Sequence, residues 1–133
     1  MRKLALLVFA MLISIISIAQ NEKQDFIEIY YFHRTERCAT CNSIEEGISS
    51  TLERYKKEIS KGDLVFMSLN FEEDKDSEII KIYEIESPTL LLIYNNKGEK
   101  KFLDLTEEAF SNALRNPSKF KKTLKKSINR FFR

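Results

Sequence analysis

The chain has 133 residues, with 22 basic and 20 acidic side chains, one histidine and two cysteines. That length suits one domain with a single core and is too short for two. The near balance of charge argues against nucleic acid as the main partner, because a nucleic-acid-binding domain carries a clear excess of positive charge.

Residues 1 to 19 are predicted to be a secretory signal peptide. Arg2 and Lys3 precede an apolar run of about 15 residues, and the Ser-Ile-Ala of residues 17 to 19 offers a small-x-small cleavage site. The run is shorter than the roughly 20 residues that span a membrane, so a membrane anchor kept by an uncleaved signal is the alternative interpretation. Cleavage would leave one mature domain, residues 20 to 133, with 20 basic and 20 acidic residues. We therefore expect an exported protein, most simply a periplasmic one.

The first half of the mature domain has the pattern of a strand, a helix and a second strand. Residues 26 to 32 are rich in β-branched and aromatic side chains, which predicts a strand. Residues 38 to 60 carry apolar side chains three or four positions apart, which predicts a helix of about six turns: Ile44, Ile48, Leu52, Tyr55 and Ile59. Residues 64 to 70 predict a mostly buried strand, parallel to the first through a right-handed crossover.

The second half has the pattern of a helix, a strand and a hairpin. Residues 72 to 76 predict a solvated acidic turn rather than a cation site, and Ser77 is expected to cap a short helix. Pro88 precedes a buried strand at residues 90 to 94, a position that suits a residue unable to donate to a β-ladder. Gly98 supplies the positive φ of a hairpin turn before the return strand.

The last helix is predicted to begin at residues 116 to 118, after a short helical or irregular connection. Its apolar residues recur every three or four positions: Phe120, Leu124, Ile128 and Phe131. Lysines cover much of its remaining surface. This basic face is most simply a solvated surface, and the alternative is electrostatic docking on an acidic partner or an anionic lipid surface.

Cys38 and Cys41, the only cysteines, stand where the first strand gives way to the first helix. Two thiols separated by two residues can close into a disulfide if the second lies one turn along the helix. Such a disulfide stabilises a fold little, since the loop-closure model gives about 2 kcal/mol for a four-residue ring and about 4.7 kcal/mol for a ring of a hundred residues. A helix N-terminus favours the reactive thiolate. The pair is therefore predicted to do redox chemistry, with metal or metalloid binding and an inert disulfide as alternatives.

Three basic residues lie just before this pair. Arg34 and Arg37 are expected to place positive charge near the thiolate. His33 is either a partly exposed residue at a strand end or a group that tunes the thiolate as a charge or proton carrier. Zinc bound by His33 and the two cysteines would lack a fourth protein ligand, and Asn42 in place of a histidine excludes covalent haem. The sequence thus predicts no bound metal and no cofactor.

The CxxC at the start of the first helix, together with Ser87-Pro88-Thr89 before a later strand, resembles the thioredoxin fold family. The resemblance covers about residues 26 to 130 and is strong over residues 83 to 94. It implies an α/β domain with a central mixed sheet flanked by helices. More narrowly, the Tyr-Phe-His of residues 31 to 33 followed by residues 37 to 41 is similar to the exported thioredoxin-like family labelled an arsenic-operon nitroreductase subunit of the ArsF type.

The resemblance also implies roles for individual residues. Cys38 would be the attacking thiolate, Cys41 the resolving thiol, and Pro88 a cis-proline facing them. The backbone of Ser87 would pair with a bound substrate strand, and Thr89 completes this substrate-binding segment.

Several positions depart from the family pattern. Thioredoxins commonly have Trp before the first cysteine and Gly-Pro between the pair, where this chain has Arg37 and Ala39-Thr40. Phe32 stands near the place of the buried Asp that assists proton transfer in thioredoxin. Because of these departures, the resemblance does not predict the substrate or the reduction potential.

The sequence therefore predicts a thiol:disulfide oxidoreductase that acts on protein or small-molecule disulfides and thiols. A reductant in an exported compartment needs electrons from elsewhere, so a membrane electron donor is an expected partner. One alternative is a binding protein for thiophilic ions such as Cu(I) or trivalent arsenic. Another is a redox subunit dedicated to one partner.

Overall fold

The computed structural model describes residues 25–132. The predicted signal peptide and the predicted start of the mature domain lie outside the described residues. Four strands form one mixed sheet in the order β2-β1-β3-β4. Their bounds are β1 (Phe26–His33), β2 (Leu64–Asn70), β3 (Thr89–Asn96) and β4 (Glu99–Asp104).

The sheet combines a parallel crossover with an antiparallel hairpin. β1 pairs in parallel with β2, and β3 runs antiparallel to both β1 and β4. Lys97 and Gly98 both have positive φ in the β3–β4 turn, as a tight hairpin requires. The predicted strand, helix, strand and hairpin order is confirmed.

The helices are α1 (Ala39–Leu52), α2 (Lys56–Lys61), α3 (Glu78–Ile82), α4 (Thr106–Asn112) and α5 (Pro117–Phe131), with a 3₁₀ turn at Glu53–Tyr55 between α1 and α2. Helix α5 begins as predicted, because the Asn116 side chain accepts a hydrogen bond from the Lys119 N–H. Within residues 25–132, no helix combines the length and apolar character needed to cross a membrane.

The central strand β1 buries both of its faces, because successive side chains of a strand point to opposite sides. Ile27, Ile29 and Tyr31 pack against α1, α4 and α5, while Tyr30 and Phe32 face the side covered by α3. Helices thus lie on both faces of a mixed sheet. This confirms the predicted α/β, thioredoxin-like fold class.

Helices α1 and α5 approach each other closely at Gly47. A Cβ at that position would lie 2.8 Å from two atoms of the Phe120 ring. The absence of a side chain at Gly47 therefore lets the Phe120 ring pack into the core.

Two local predictions were wrong. The helix expected over residues 38 to 60 is interrupted by the 3₁₀ turn, which winds more tightly than an α-helix and so rotates later residues away from the apolar stripe. Ile59 is consequently 41% exposed. Ser77 is the N-cap residue of α3, but its side chain makes no capping hydrogen bond.

Candidate redox site

Cys38 and Cys41 are joined by a disulfide, with their Cα atoms 5.0 Å apart. Cys38 is the N-cap residue of α1 and is exposed, whereas Cys41 lies in the first turn of the helix and is only 7% exposed. The short connection after β1 delivers Cys38 to the helix start. A molecule approaching from solvent therefore reaches Cys38 first.

The start of α1 offers hydrogen-bond donors to the exposed sulfur. The backbone N–H of Cys41 donates to Cys38 Sγ at 3.1 Å. The first turn of α1 contains no acidic residue, so no carboxylate there opposes the positive end of the helix dipole. In the reduced protein, the same N–H group would stabilise a Cys38 thiolate.

Both arginines near the cysteines are paired with carboxylates. Arg34 Nε lies 4.0 Å from Glu72, in an ion pair that solvent reaches freely. The Arg37 guanidinium forms a short ion pair with Glu45, and both of these side chains are partly buried. The positive charge expected near the thiolate is therefore accompanied by a carboxylate at each arginine.

Arg37 also covers a buried tyrosine that contacts the redox segment. Its Cζ lies 5.8 Å from the centre of the Tyr31 ring, and the Tyr31 hydroxyl donates to the Cys41 carbonyl at 3.3 Å. Burial raises the pKa of Tyr31 to about 12, with Arg37 opposing the rise and Glu45 adding to it. Tyr31 therefore stays neutral and remains a hydrogen-bond donor at physiological pH.

Glu45 is the acidic member of this cluster. Burial opposes its ionisation, but the Ser68 hydroxyl and the charges of Arg37 and His33 outweigh burial and hold the pKa of Glu45 below its usual range. Within residues 25–132, Arg37 Nε and Ser68 Oγ are buried polar atoms that complete no hydrogen bond of normal geometry. The cluster of Tyr31, Arg37, Glu45 and Ser68 is therefore polar, and two of its buried polar atoms lack a hydrogen-bond partner.

The sequence analysis missed Tyr31, Glu45 and Ser68 as members of the site. One signal was available, because Glu45 follows Cys41 by four residues and such pairs lie on the same side of a helix. The contributions of Tyr31 and Ser68 depend on strand register, in which they are direct partners on β1 and β2.

His33 is the last residue of β1 and is partly exposed. Its Nδ1 donates to the Arg34 carbonyl at 2.9 Å, and its ring lies 6.0 Å from the Tyr31 ring. In the described part of the chain, no hydrogen bond or ring contact joins His33 to either cysteine. Its structural link to the site is the ring contact with Tyr31, and its charge is the smallest of the causes that lower the pKa of Glu45.

The segment from Arg34 to Cys38 is held in place by the acidic turn after β2. The Thr35 N–H donates to Glu72 at 2.9 Å, and Asn70 donates to the Thr35 hydroxyl at 3.0 Å. The Thr35 N–H is the main reason that the pKa of Glu72 is lowered. The turn predicted to be merely solvated is exposed, and it also anchors the approach to Cys38.

The predicted substrate-binding residues lie at the same end of the sheet as the disulfide. Thr89 opens β3 and pairs with Phe32 near the end of β1. Ser87 is exposed, Pro88 is partly buried, and the Thr89 hydroxyl donates to the Ser87 carbonyl at 2.9 Å. Ser87 and Thr89 also line a cavity of about 430 Å³.

The prediction of a cis peptide bond at Pro88 is wrong. None of the peptide bonds in the described residues is cis, so the bond from Ser87 to Pro88 is trans. The trans form is intrinsically favoured at such bonds by about 0.5–1 kcal/mol.

Within the described part of the chain, the two sulfurs do not belong to a larger group of metal ligands. Residues 25–132 contain no group of three or more histidine, cysteine or carboxylate side chains arranged to hold a metal ion. The chemistry that the geometry offers is closure and opening of the disulfide.

No family model matches this chain, and no curated protein matches it. Two similar solved structures are a thioredoxin from Trichomonas vaginalis and a malarial protein. The thioredoxin is 21% identical, with 68% of this chain and 73% of that chain covered and a TM-score of 0.43. The malarial protein is 13% identical, with 68% and 94% covered and a TM-score of 0.42. Similarity at this level does not establish an activity, which depends on the chemistry of the site itself. That site is a CxxC disulfide at the start of the first helix of a thioredoxin-like fold.

Proposed function

We propose that this protein is a thiol:disulfide oxidoreductase in which Cys38 attacks and Cys41 resolves. The observation that carries the proposal is the asymmetry of the disulfide, with Cys38 exposed at a helix N-cap and Cys41 buried one turn later. A short-range structural disulfide needs no such asymmetry, whereas a nucleophile needs access to its substrate and a stabilised thiolate.

The reaction begins from the reduced protein. The Cys38 thiolate attacks one sulfur of a substrate disulfide, forms a mixed disulfide and releases the other substrate sulfur as a thiolate. Cys41 then loses its proton and attacks Cys38 Sγ, which closes the protein disulfide and releases the second substrate thiolate. The protein gives up two electrons to the substrate, and the protons lost by Cys38 and Cys41 balance those that the two released thiolates take up from solvent. The reverse sequence oxidises a dithiol, and the relative potentials of protein and substrate set the direction.

The backbone of Ser87 is proposed to bind the substrate strand. Its carbonyl is occupied by the Thr89 hydroxyl, while its N–H makes no hydrogen bond within residues 25–132. The free N–H is therefore the group that would donate to a substrate carbonyl. Pro88 has no backbone N–H, so it does not compete with Ser87 as a hydrogen-bond donor to the substrate.

His33 and Arg37 are proposed to tune the site indirectly. Arg37 acts through its ion pair with Glu45 and its contact with Tyr31. His33 acts through its ring contact with Tyr31. Neither role requires direct contact with a sulfur atom.

The cellular setting is part of the proposal. The apolar N-terminal segment supports export to the periplasm, where a reductant would need a membrane electron donor. The similarity of residues 31 to 33 and 37 to 41 to the ArsF-type family supports a dedicated role in an arsenic-related operon. Protein and small-molecule disulfides are both proposed as substrates.

Two cysteine variants test the proposal directly. Reduced Cys41→Ser should accumulate a mixed disulfide with a model substrate such as oxidised glutathione, since the resolving thiol is gone, and Cys38→Ser should accumulate none. Non-reducing electrophoresis and mass spectrometry measure the adduct. Equal behaviour of both variants and the wild type would overturn the enzymatic proposal. Stoichiometric Cu(I) uptake by the reduced wild type without disulfide exchange would instead favour a binding protein.

A further inference from the structure

A cavity of about 430 Å³ lies beside the proposed substrate-binding segment, on the face of the sheet that α3 covers. Its wall runs from Tyr83 at the end of α3 through Ser87 and across to Phe102 and Asp104 on β4. The cavity exists because α3 has only five residues and leaves the β3–β4 part of this face uncovered. It has room for one or two side chains of another molecule.

The apolar part of the cavity is aromatic and reachable. Phe102 is 54% exposed, and its ring meets the Tyr83 ring edge-on with the centres 5.5 Å apart. Aromatic faces bind both apolar side chains and the cationic groups of lysine and arginine.

The polar part of the cavity is acidic. Glu84, Glu86 and Asp104 line it, and no lysine, arginine or histidine among the described residues does. Within residues 25–132, the Glu84 and Glu86 side chains form no ion pair or hydrogen bond. Their charge is thus available to a cationic group that enters the cavity.

The backbone at Glu84 adds to this picture. Glu84 has a φ of 49° and occupies the left-handed position at the end of α3, where the Ile85 N–H donates to the Ile80 carbonyl at 3.0 Å. Glycine is the low-cost residue at such a position. The chain instead holds a carboxylate there, at the rim of the cavity.

We propose that this cavity receives a cationic and partly apolar segment of the polypeptide that carries the substrate disulfide. This inference rests on the proposed function and names its substrate class. A leucine-like or aromatic side chain would sit on Phe102 and Tyr83, while a neighbouring lysine or arginine would meet Glu84 and Glu86. The segment would then run past Ser87 toward Cys38.

Two short fluorescent peptides without cysteine test the inference apart from the redox chemistry. One has lysines flanking a leucine, and the other has glutamates in place of the lysines. Fluorescence anisotropy should show that the reduced and oxidised full chain both bind the lysine peptide, with affinity falling as salt is added. The double variant Glu84→Gln/Glu86→Gln should bind it about fivefold more weakly, the effect of losing two exposed ion pairs. Phe102→Ala should also weaken binding.

The matched control is the double variant Glu99→Gln/Glu107→Gln, which removes the same charge at exposed positions outside the cavity. Equal binding of the two peptides, or an equal loss in the control, would overturn the inference. Exchange of the wild type with oxidised glutathione is measured separately. Preference for the lysine peptide without glutathione exchange would support the role of the cavity and overturn the proposed function. Glutathione exchange without any peptide preference would support the proposed function and overturn the role of the cavity.

Discussion

The substitution Glu45→Gln tests whether the ion pair beneath the disulfide stabilises the fold. Glutamine keeps the size of the side chain and removes its charge, which leaves the Arg37 guanidinium without a counter-ion. Arg37 is 23% exposed and Glu45 33% exposed, and Arg37 Nε already lacks a hydrogen-bond partner. The remaining cation would therefore be poorly solvated.

The size of the effect follows from this partial burial. A fully exposed pair contributes about 0.2–1 kcal/mol, and removing one partner of a fully buried pair costs about 3–5 kcal/mol. Solvent reaches part of both side chains here, so we expect Glu45→Gln to lower the free energy of unfolding by about 1–2 kcal/mol at neutral pH.

The pH dependence separates charge from packing. The pKa of Glu45 is lowered in the folded protein, so its contribution is fully present above the unfolded-state pKa of about 4.3 and is lost as pH falls through the lower folded-state pKa. Urea unfolding of the oxidised wild type and variant should thus differ at neutral pH and converge in acid. Glu46→Gln, an exposed neighbour on α1, is the control. Equal stability at neutral pH, or a gap that persists undiminished in acid, would refute the reasoning.

Three further predictions concern the core, the buried phenol and the two thiols. Gly47→Ala should lower the free energy of unfolding by about 1–3 kcal/mol through the clash with Phe120; a more stable variant in urea, as helix propensity alone predicts, would contradict the packing. Because burial raises the pKa of Tyr31 to about 12, Tyr31→Phe should remove a phenolate absorbance step near pH 12, and loss of a step near the ordinary tyrosine pKa would argue against burial. In the reduced protein, iodoacetamide should modify exposed Cys38 before Cys41, which is 7% exposed; peptide mass spectrometry would show equal labelling if the asymmetry were absent in solution.

Local patterns predicted the fold well where burial and periodicity agree. The period-two and apolar runs of β1 and β3 reflect strands that are buried by the sheet, and the spacing of Phe120, Leu124 and Ile128 reflects one helix face that is fully buried. The long first helix was predicted poorly at its end. Its apolar spacing continues to Ile59, but the 3₁₀ turn changes the direction in which that side chain points, and spacing alone does not reveal a change of helix type.

The candidate site was predictable only in part, for a related reason. The CxxC and its place at a helix start can be read from neighbouring residues, and so can the position of Pro88 before a strand. The pairing of Arg37 with Glu45 and the contact of Tyr31 with Cys41 join different elements, and the trans bond at Pro88 is a backbone state that the residue type leaves open. Such features depend on tertiary packing.

The pairing of the arginines changes the account of how Cys38 would be activated. Arg34 and Arg37 each pair with a carboxylate, which reduces the net positive charge that the two arginines place near the sulfur. The Cys41 N–H, 3.1 Å from Cys38 Sγ, remains, and a hydrogen bond to a charged group is worth about 1.5–3 kcal/mol, with the helix dipole adding about 0.3–1 kcal/mol. The helix start thus supplies stabilisation that does not depend on either arginine. Activation of Cys38 as the proposed nucleophile would therefore depend on its N-cap position on α1, which directly follows the segment held by Thr35 and Glu72.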